Sequence, residues 1–159
     1  MNVISLLKEE HNEIERELIE LEKTLEDLED SEDTSEVNFP NLLHTFRRLI
    51  DIWDSHEKEE EEIFPVLKSQ EIAIEIEKIL FEHKRLKKYK ENLLKSINSG
   101  SVFEVRQSLK KDFPIIAKEL RDHMSFEDEI LYTAIVKNTS ELEFERLRLQ
   151  FPDLGKWLK

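Results

Sequence analysis

The sequence predicts an all-α protein: an up-down-up-down antiparallel four-helix bundle with a short C-terminal capping helix. Three observations predict it. Two Gly and four Pro in 159 residues leave little punctuation for hairpins. Apolar residues recur at alternating steps of three and four in four separate stretches, the seam of a bundle helix. Charged and hydrophobic residues each make up 38% of the chain, the balance of a soluble helical protein with one core. A single domain over 1–159 is expected, with the bundle over about 2–137 and the cap over about 140–159.

The first helix carries Ile4, Leu7, His11, Ile14, Leu18, Leu21, Leu25 and Leu28 on one stripe. The polar run DSEDTSEVN then breaks the pattern, and Asn38 with Pro40 in the following turn predicts the next start. The second stripe is Leu42, Phe46, Leu49, Trp53, His56, Glu60, Ile63 and Leu67. The third helix is expected over about 70–98, with Ile72, Ile76, Ile79, His83, Leu86, Lys90, Leu93 and Ile97, ending at the Asn98-Ser99-Gly100 turn. Ser101 and Glu104 form a capping box for a further segment, which Pro114 is expected to kink or restart. Its stripe is Phe113, Ile116, Leu120, His123, Glu127, Ile130 and Ala134. Ser140 and Glu143 suggest a second capping box, opening a short amphipathic helix with Leu142, Leu147 and Leu149, followed by Pro152 and Trp157.

Composition removes several function classes. A formal charge of −13 repels phosphate backbones, so no nucleic-acid partner is expected. The absence of cysteine excludes disulfides, thiolate metal sites and a cysteine nucleophile, so any metal must be held by nitrogen and oxygen. The start MNVISLLKEEHNEIE has no basic region followed by a long apolar run, and no segment approaches membrane-spanning length. A cytoplasmic protein with no membrane partner is expected.

The histidines carry the functional signal. Roughly two positions in seven of a bundle helix face the seam, so four of five histidines landing there by chance has a probability on the order of one in fifty. His44 falls off the series, about 18 Å along its helix from His56, and is excluded as a ligand. Register agrees in part: His56 is 11 residues before Leu67, and His83 is 11 after Ile72, which places the two level. His123 is 21 residues after Val102 while His83 is 14 before Ile97, a difference that the Pro114 region must absorb.

The halves of the chain resemble each other. Glu10-His11 and Glu82-His83 share Glu-His on the first and third helices, while His56, Glu60, Glu62, Ile63 and His123, Glu127, Glu129, Ile130 share H-x3-E-x-E-I on the second and fourth. In one bundle this gives two pairs of histidines with two inward carboxylates between them, which suits two metals bridged by Glu60 and Glu127. Four imidazoles and two carboxylates buried without a counter-charge would cost several kcal/mol or force the glutamates to be protonated. A pair of cations removes that cost, and ligands of this kind suit iron, manganese or zinc. The competing reading is a hydrogen-bonded polar layer without metal. Within the acid run after His56, Glu60 is expected to point inward and Glu59, Glu61 and Glu62 to be solvated.

These residues, over about 2–137, resemble the hemerythrin-like proteins, the HHE cation-binding domain family. The resemblance implies an up-down bundle around a non-haem di-iron centre, oxo- or hydroxo-bridged, with His11 and His56 on one iron, His83 and His123 on the other, and Glu60 and Glu127 bridging. Glu57 resembles an additional carboxylate of some members, although it lies about 100° off the seam. Asp128 stands where the oxygen carriers of the family place a bridging Asp, so it competes with Glu127; the seam and the repeat favour Glu127. The carriers also have a second histidine four residues after the first on the third helix, where this chain has Lys87. That departure leaves one iron an open, water-filled or carboxylate-filled position. Reversible oxygen carriage is then less favoured than sensing or iron handling.

The Glu-x-x-His pattern of ferritin-like proteins is missing, since Lys8, Trp53, Leu80 and Leu120 precede the seam histidines by three. The zinc-protease pattern H-E-x-x-H fails at Glu60. The function expected is therefore a non-haem di-iron binding protein, not an enzyme, that binds dioxygen, nitric oxide or iron as a sensor or in iron homeostasis. The alternatives are a di-iron oxidase or peroxidase acting on peroxide or reactive nitrogen species, and a metal-free helical interaction module.

Overall fold

The computed structural model describes residues 2–29, 35–67 and 72–158. These comprise α1 (Val3–Glu29), α2 (Ser35–Leu67), α3 (Ala73–Ser99), α4 (Val102–Phe126), a π-helical turn (Glu127–Leu131), α5 (Tyr132–Asn138) and α6 (Glu141–Gln150). Among the described residues there is no strand, and no helix is long and apolar enough to cross a membrane. The Leu28 and Asn38 side chains, and residues 30–34 of the polar run, lie outside the described part.

The helix ends follow local chemistry. Asn2 caps α1, its Oδ1 accepting the Ser5 N–H at 2.9 Å. α2 begins at Ser35 rather than Asn38, which moves Pro40 out of the first turn. Gly100 ends α3 in an extended conformation (φ −101°, ψ 165°), not the left-handed one. A side chain would be tight there: a Cβ would lie 3.0 Å from Glu104 Cβ and 3.2 Å from the Ser96 carbonyl oxygen. The Ser101–Glu104 capping box forms as expected, with both reciprocal bonds.

The chain is not restarted at Pro114, because α4 runs through it. The ring sits on the exposed face, where the carbonyl it leaves unbonded can meet water. Ser140 caps α6 by accepting the Glu143 N–H at 3.2 Å. The buried residues of α6 are Phe144 and Leu147, whereas Leu142 and Leu149 are exposed. Those two leucines are seven apart and share the stripe facing away from the bundle.

The core divides into two apolar clusters. One contains Ile14, Leu18, Phe46, Leu49, Trp53, Leu86, Leu93, Phe113 and Leu120. The other contains Val3, Ile4, Leu7, Ile63, Phe64, Ile76, Ile79, Leu131, Tyr132 and Ile135, together with Phe144, Leu147 and Leu154 from the C-terminal segment. Every long helix therefore passes from one apolar cluster to the other through an intervening polar layer. Glu10 and His11 stand in that layer on α1, His56, Glu57 and Glu60 on α2, His83 on α3, and His123 on α4 with Glu127 just beyond it.

Candidate metal centre

His11, His56, Glu60 and Glu127 present ligand atoms within 4.8 Å of one another, and so do Glu60, His83, His123 and Glu127. All six side chains are buried, and the two carboxylates, fully so, belong to both groups. The four imidazoles turn Nε2 inward. Glu60 Oε1 lies 3.1 Å from His56 Nε2 and 3.3 Å from His83 Nε2. Glu127 Oε1 lies 3.3 Å from His11 Nε2 and 3.0 Å from His123 Nε2.

Three of the four imidazoles are oriented from behind at Nδ1. His56 donates to Glu10 Oε1 at 2.7 Å, His123 to Glu82 Oε2 at 2.8 Å, and His11 to Asp128 Oδ1 at 2.8 Å. His83 Nδ1 lies 3.7 Å from Glu61 Oε1, beyond hydrogen-bond distance, and is buried without a hydrogen-bond partner. Because a carboxylate only accepts, the three bonds fix the proton of His56, His123 and His11 on Nδ1 and leave the Nε2 lone pair for the interior, the arrangement that metal-binding histidines require. The glutamate preceding a seam histidine on α1 or α3 braces the histidine of the following helix, and the acid following Glu127 braces the histidine on α1.

The arrangement calls for positive charge. His11 Nε2 and His56 Nε2 approach to 2.9 Å, which two lone pairs cannot do without a proton or cation between them. Glu60 Oε1, both Glu127 carboxylate oxygens, His83 Nε2 and His123 Nε2 are buried without hydrogen-bond partners. Buried polar atoms are rarely left so, and atoms converging on one point fit a ligated cation. Burial acts to lower each imidazole pKa, but the surrounding carboxylates outweigh it. His56 is raised well above its ordinary value, His11 and His83 are raised, and His123 is pushed up to about 10 by Glu127 and Glu82. Burial likewise acts to raise Glu60, yet His56 and the neighbouring hydrogen bonds hold it well below the usual carboxylate range.

The remaining acids of the opening run separate. Glu57 is outside both groups; its Oε1 accepts the Trp53 Nε1–H at 2.7 Å, and Lys90 Nζ lies 3.7 Å from Oε2. Burial raises its carboxyl against the pull of Lys90 and of the His83 and His123 imidazoles. Lys90 also pairs with Asp54 and sits over the Trp53 ring at 4.4 Å. Asp128 stands behind His11 rather than among the inward atoms. Glu61 and Glu62 are exposed, but Glu59 is not freely solvated: burial and a hydrogen bond to Glu10 push its carboxyl up to about 9. Lys87 and His44 are exposed.

Tyr132 completes the centre and was absent from the sequence reading. Its hydroxyl donates to Glu60 Oε2 at 2.5 Å and lies 3.4 Å from His11 Nε2, and its ring stacks on the His11 ring, centroids 5.4 Å apart. Burial keeps this phenol protonated, raising its pKa well above the ordinary value. The π-helical turn puts it there, since the Tyr132 N–H donates to the Glu127 carbonyl five residues back. The inserted residue rotates the stripe, so Leu131 and Tyr132 are buried while Ile130, expected on the seam, is half exposed.

Four histidines and two carboxylates gathered into two buried groups that share both carboxylates give a helical bundle whose interior is able to hold metal cations. The chain belongs to the hemerythrin family: the model for the hemerythrin HHE cation binding domain matches residues 2–135. Neither curated proteins nor solved structures give a match to this chain.

Proposed function

We propose that the protein is a non-haem di-iron binding protein, a single domain over 1–159 with its four long helices running up-down-up-down. One iron would be held by His11 and His56, the other by His83 and His123, with Glu60 and Glu127 between them. The observation that carries the reading is the convergence of inward Nε2 and carboxylate atoms, several without partners, on two points that share both glutamates. The order in which the helices cross the two apolar clusters supports the topology: α1 and α3 begin in the cluster where α2 ends.

Bound iron would supply a site for a diatomic ligand and a one-electron redox couple. The chain orients three of the imidazoles through Glu10, Glu82 and Asp128, excludes water with the two apolar clusters, and aims the Tyr132 O–H at Glu60. Lys87 faces solvent, which leaves His83 as the α3 imidazole in the centre. That incomplete ligation favours a role in sensing dioxygen or nitric oxide, or in iron homeostasis, over reversible carriage. It also keeps a second reading, peroxide or reactive-nitrogen chemistry, in view; turnover with an added electron donor separates the two. Iron-loaded protein titrated with nitric oxide or azide tests the proposal. A visible band that changes saturably with ligand and is lost on reduction is expected, and an iron-loaded protein with no such response would overturn it.

A further inference from the structure

The two halves of the centre match up to the central carboxylates and then diverge at one hydroxyl. Counting the residue inserted by the π-helical turn, Tyr132 stands after Glu127 where Phe64 stands after Glu60. Both rings are fully buried, with centroids 6.4 Å apart, but only Tyr132 carries an oxygen. That oxygen serves Glu60, not Glu127. Glu60 Oε2 accepts a hydrogen bond from the phenol O–H at 2.5 Å, so only its Oε1 is without a hydrogen-bond partner, whereas both oxygens of Glu127 are without one.

We propose that Tyr132 is a positioning residue that makes Glu60 the anchored carboxylate of the centre and leaves Glu127 as the one that shifts to admit an incoming small ligand. The inference rests on the metal-binding reading above. The Tyr132 hydroxyl fixes the rotation of the Glu60 carboxylate and keeps Oε1 the atom that faces both His56 and His83. The ring is itself held flat against His11 and cannot swing away without losing that stacking. Glu127 has no equivalent restraint on its Oε2, and the π-helical turn that begins at this residue gives its backbone an irregular hydrogen-bonding register.

The test uses the full chain and zinc alone, whose closed shell permits NMR. Tyr132→Phe keeps the ring and its stacking and deletes the hydroxyl. The chain has two tyrosines, and Tyr89 is partly exposed, so a Tyr89→Phe background leaves Tyr132 as the sole phenol in the spectrum. A slowly exchanging Tyr132 hydroxyl proton is expected in both metal-free and zinc-loaded protein. Zinc affinity is expected to fall about tenfold in Tyr132→Phe. A hydroxyl signal that vanishes on zinc loading would show that Glu60 Oε2 is taken by the metal and would overturn the proposal. So would superimposable zinc isotherms for the two proteins. If Tyr132→Phe does not fold, the hydroxyl signal of the zinc-loaded parent decides alone. Unsubstituted protein that takes up no zinc or iron would sink the metal-binding reading and this proposal together, whereas uptake with either contrary result would sink the proposal only.

Discussion

Glu10 on α1 accepts the Nδ1–H of His56 on α2 at 2.7 Å, in the interior of the protein and 46 residues away in sequence. This contact sets the tautomer of His56 and aims its Nε2 at the centre. Glu10→Gln keeps the shape and an acceptor but removes the charge that strengthens the imidazole as a donor to metal. Metal affinity should fall by about 10–100-fold, measured by chelator competition.

Glu127→Leu tests the buried carboxylate itself. In the metal-free protein the fully buried Glu127 lies 3.0 Å from His123 Nε2 and 3.3 Å from His11 Nε2 and raises both imidazoles, so an apolar replacement removes one partner of a buried cluster and should destabilise that state by about 3–5 kcal/mol near neutral pH. The same change should abolish paired metal uptake. Denaturant unfolding of the metal-free variant, with metal content measured in parallel, checks both halves.

The histidines give a pH dependence with a defined sign. All four have folded-state pKa values raised above the ordinary 6.5, His123 to about 10. A raised value means that the folded state binds the proton more tightly, so this stabilisation is full below about pH 6.5 and is lost as pH rises through the folded values. Metal-free protein should therefore lose stability from about pH 6.5 towards 10. Metal uptake displaces these protons, so apparent affinity should rise over the same range and proton release should accompany binding. Melting curves and a weakly buffered metal titration measure the two trends.

Arg121 serves as a contrast. It reaches from α4 to α1, its Nη1 and Nη2 donating to Glu22 at 2.9 and 2.6 Å and its Nε facing Glu15 at 3.0 Å. The network is partly solvent-exposed, so Arg121→Ala should cost about 1 kcal/mol, and less at high salt. Metal affinity should be unchanged, which separates general stability from the centre.

The stripe residues were legible because burial in a bundle imposes a period. His11, His56, His83 and His123 with Glu60 and Glu127 fall on the same three-four series as the leucines, and the structure buries them together. The braces were not legible. Glu10 and Glu82 were visible as a repeated Glu-His pair, but the histidine each one holds lies on another helix, and sequence spacing carries no information about that. The π-helical turn was hidden for a different reason: Glu127–Leu131 has an ordinary helical composition, and the extra residue reveals itself only as a shift of burial from Ile130 to Leu131 and Tyr132. The repeat H-x3-E-x-E-I even pointed the wrong way, pairing exposed Ile130 with buried Ile63. Pro114 does not restart the helix, since a proline on the exposed face has solvent to satisfy the carbonyl it strands.

The most direct measurement is metal content per chain by elemental analysis of freshly purified protein, before and after exposure to ferrous iron. Two groups sharing Glu60 and Glu127 predict about two iron ions per chain, and uptake that fails in Glu127→Leu. Protein that holds no metal as isolated and takes up none on adding ferrous iron would mean that the six buried side chains form a hydrogen-bonded polar layer, and would contradict the account.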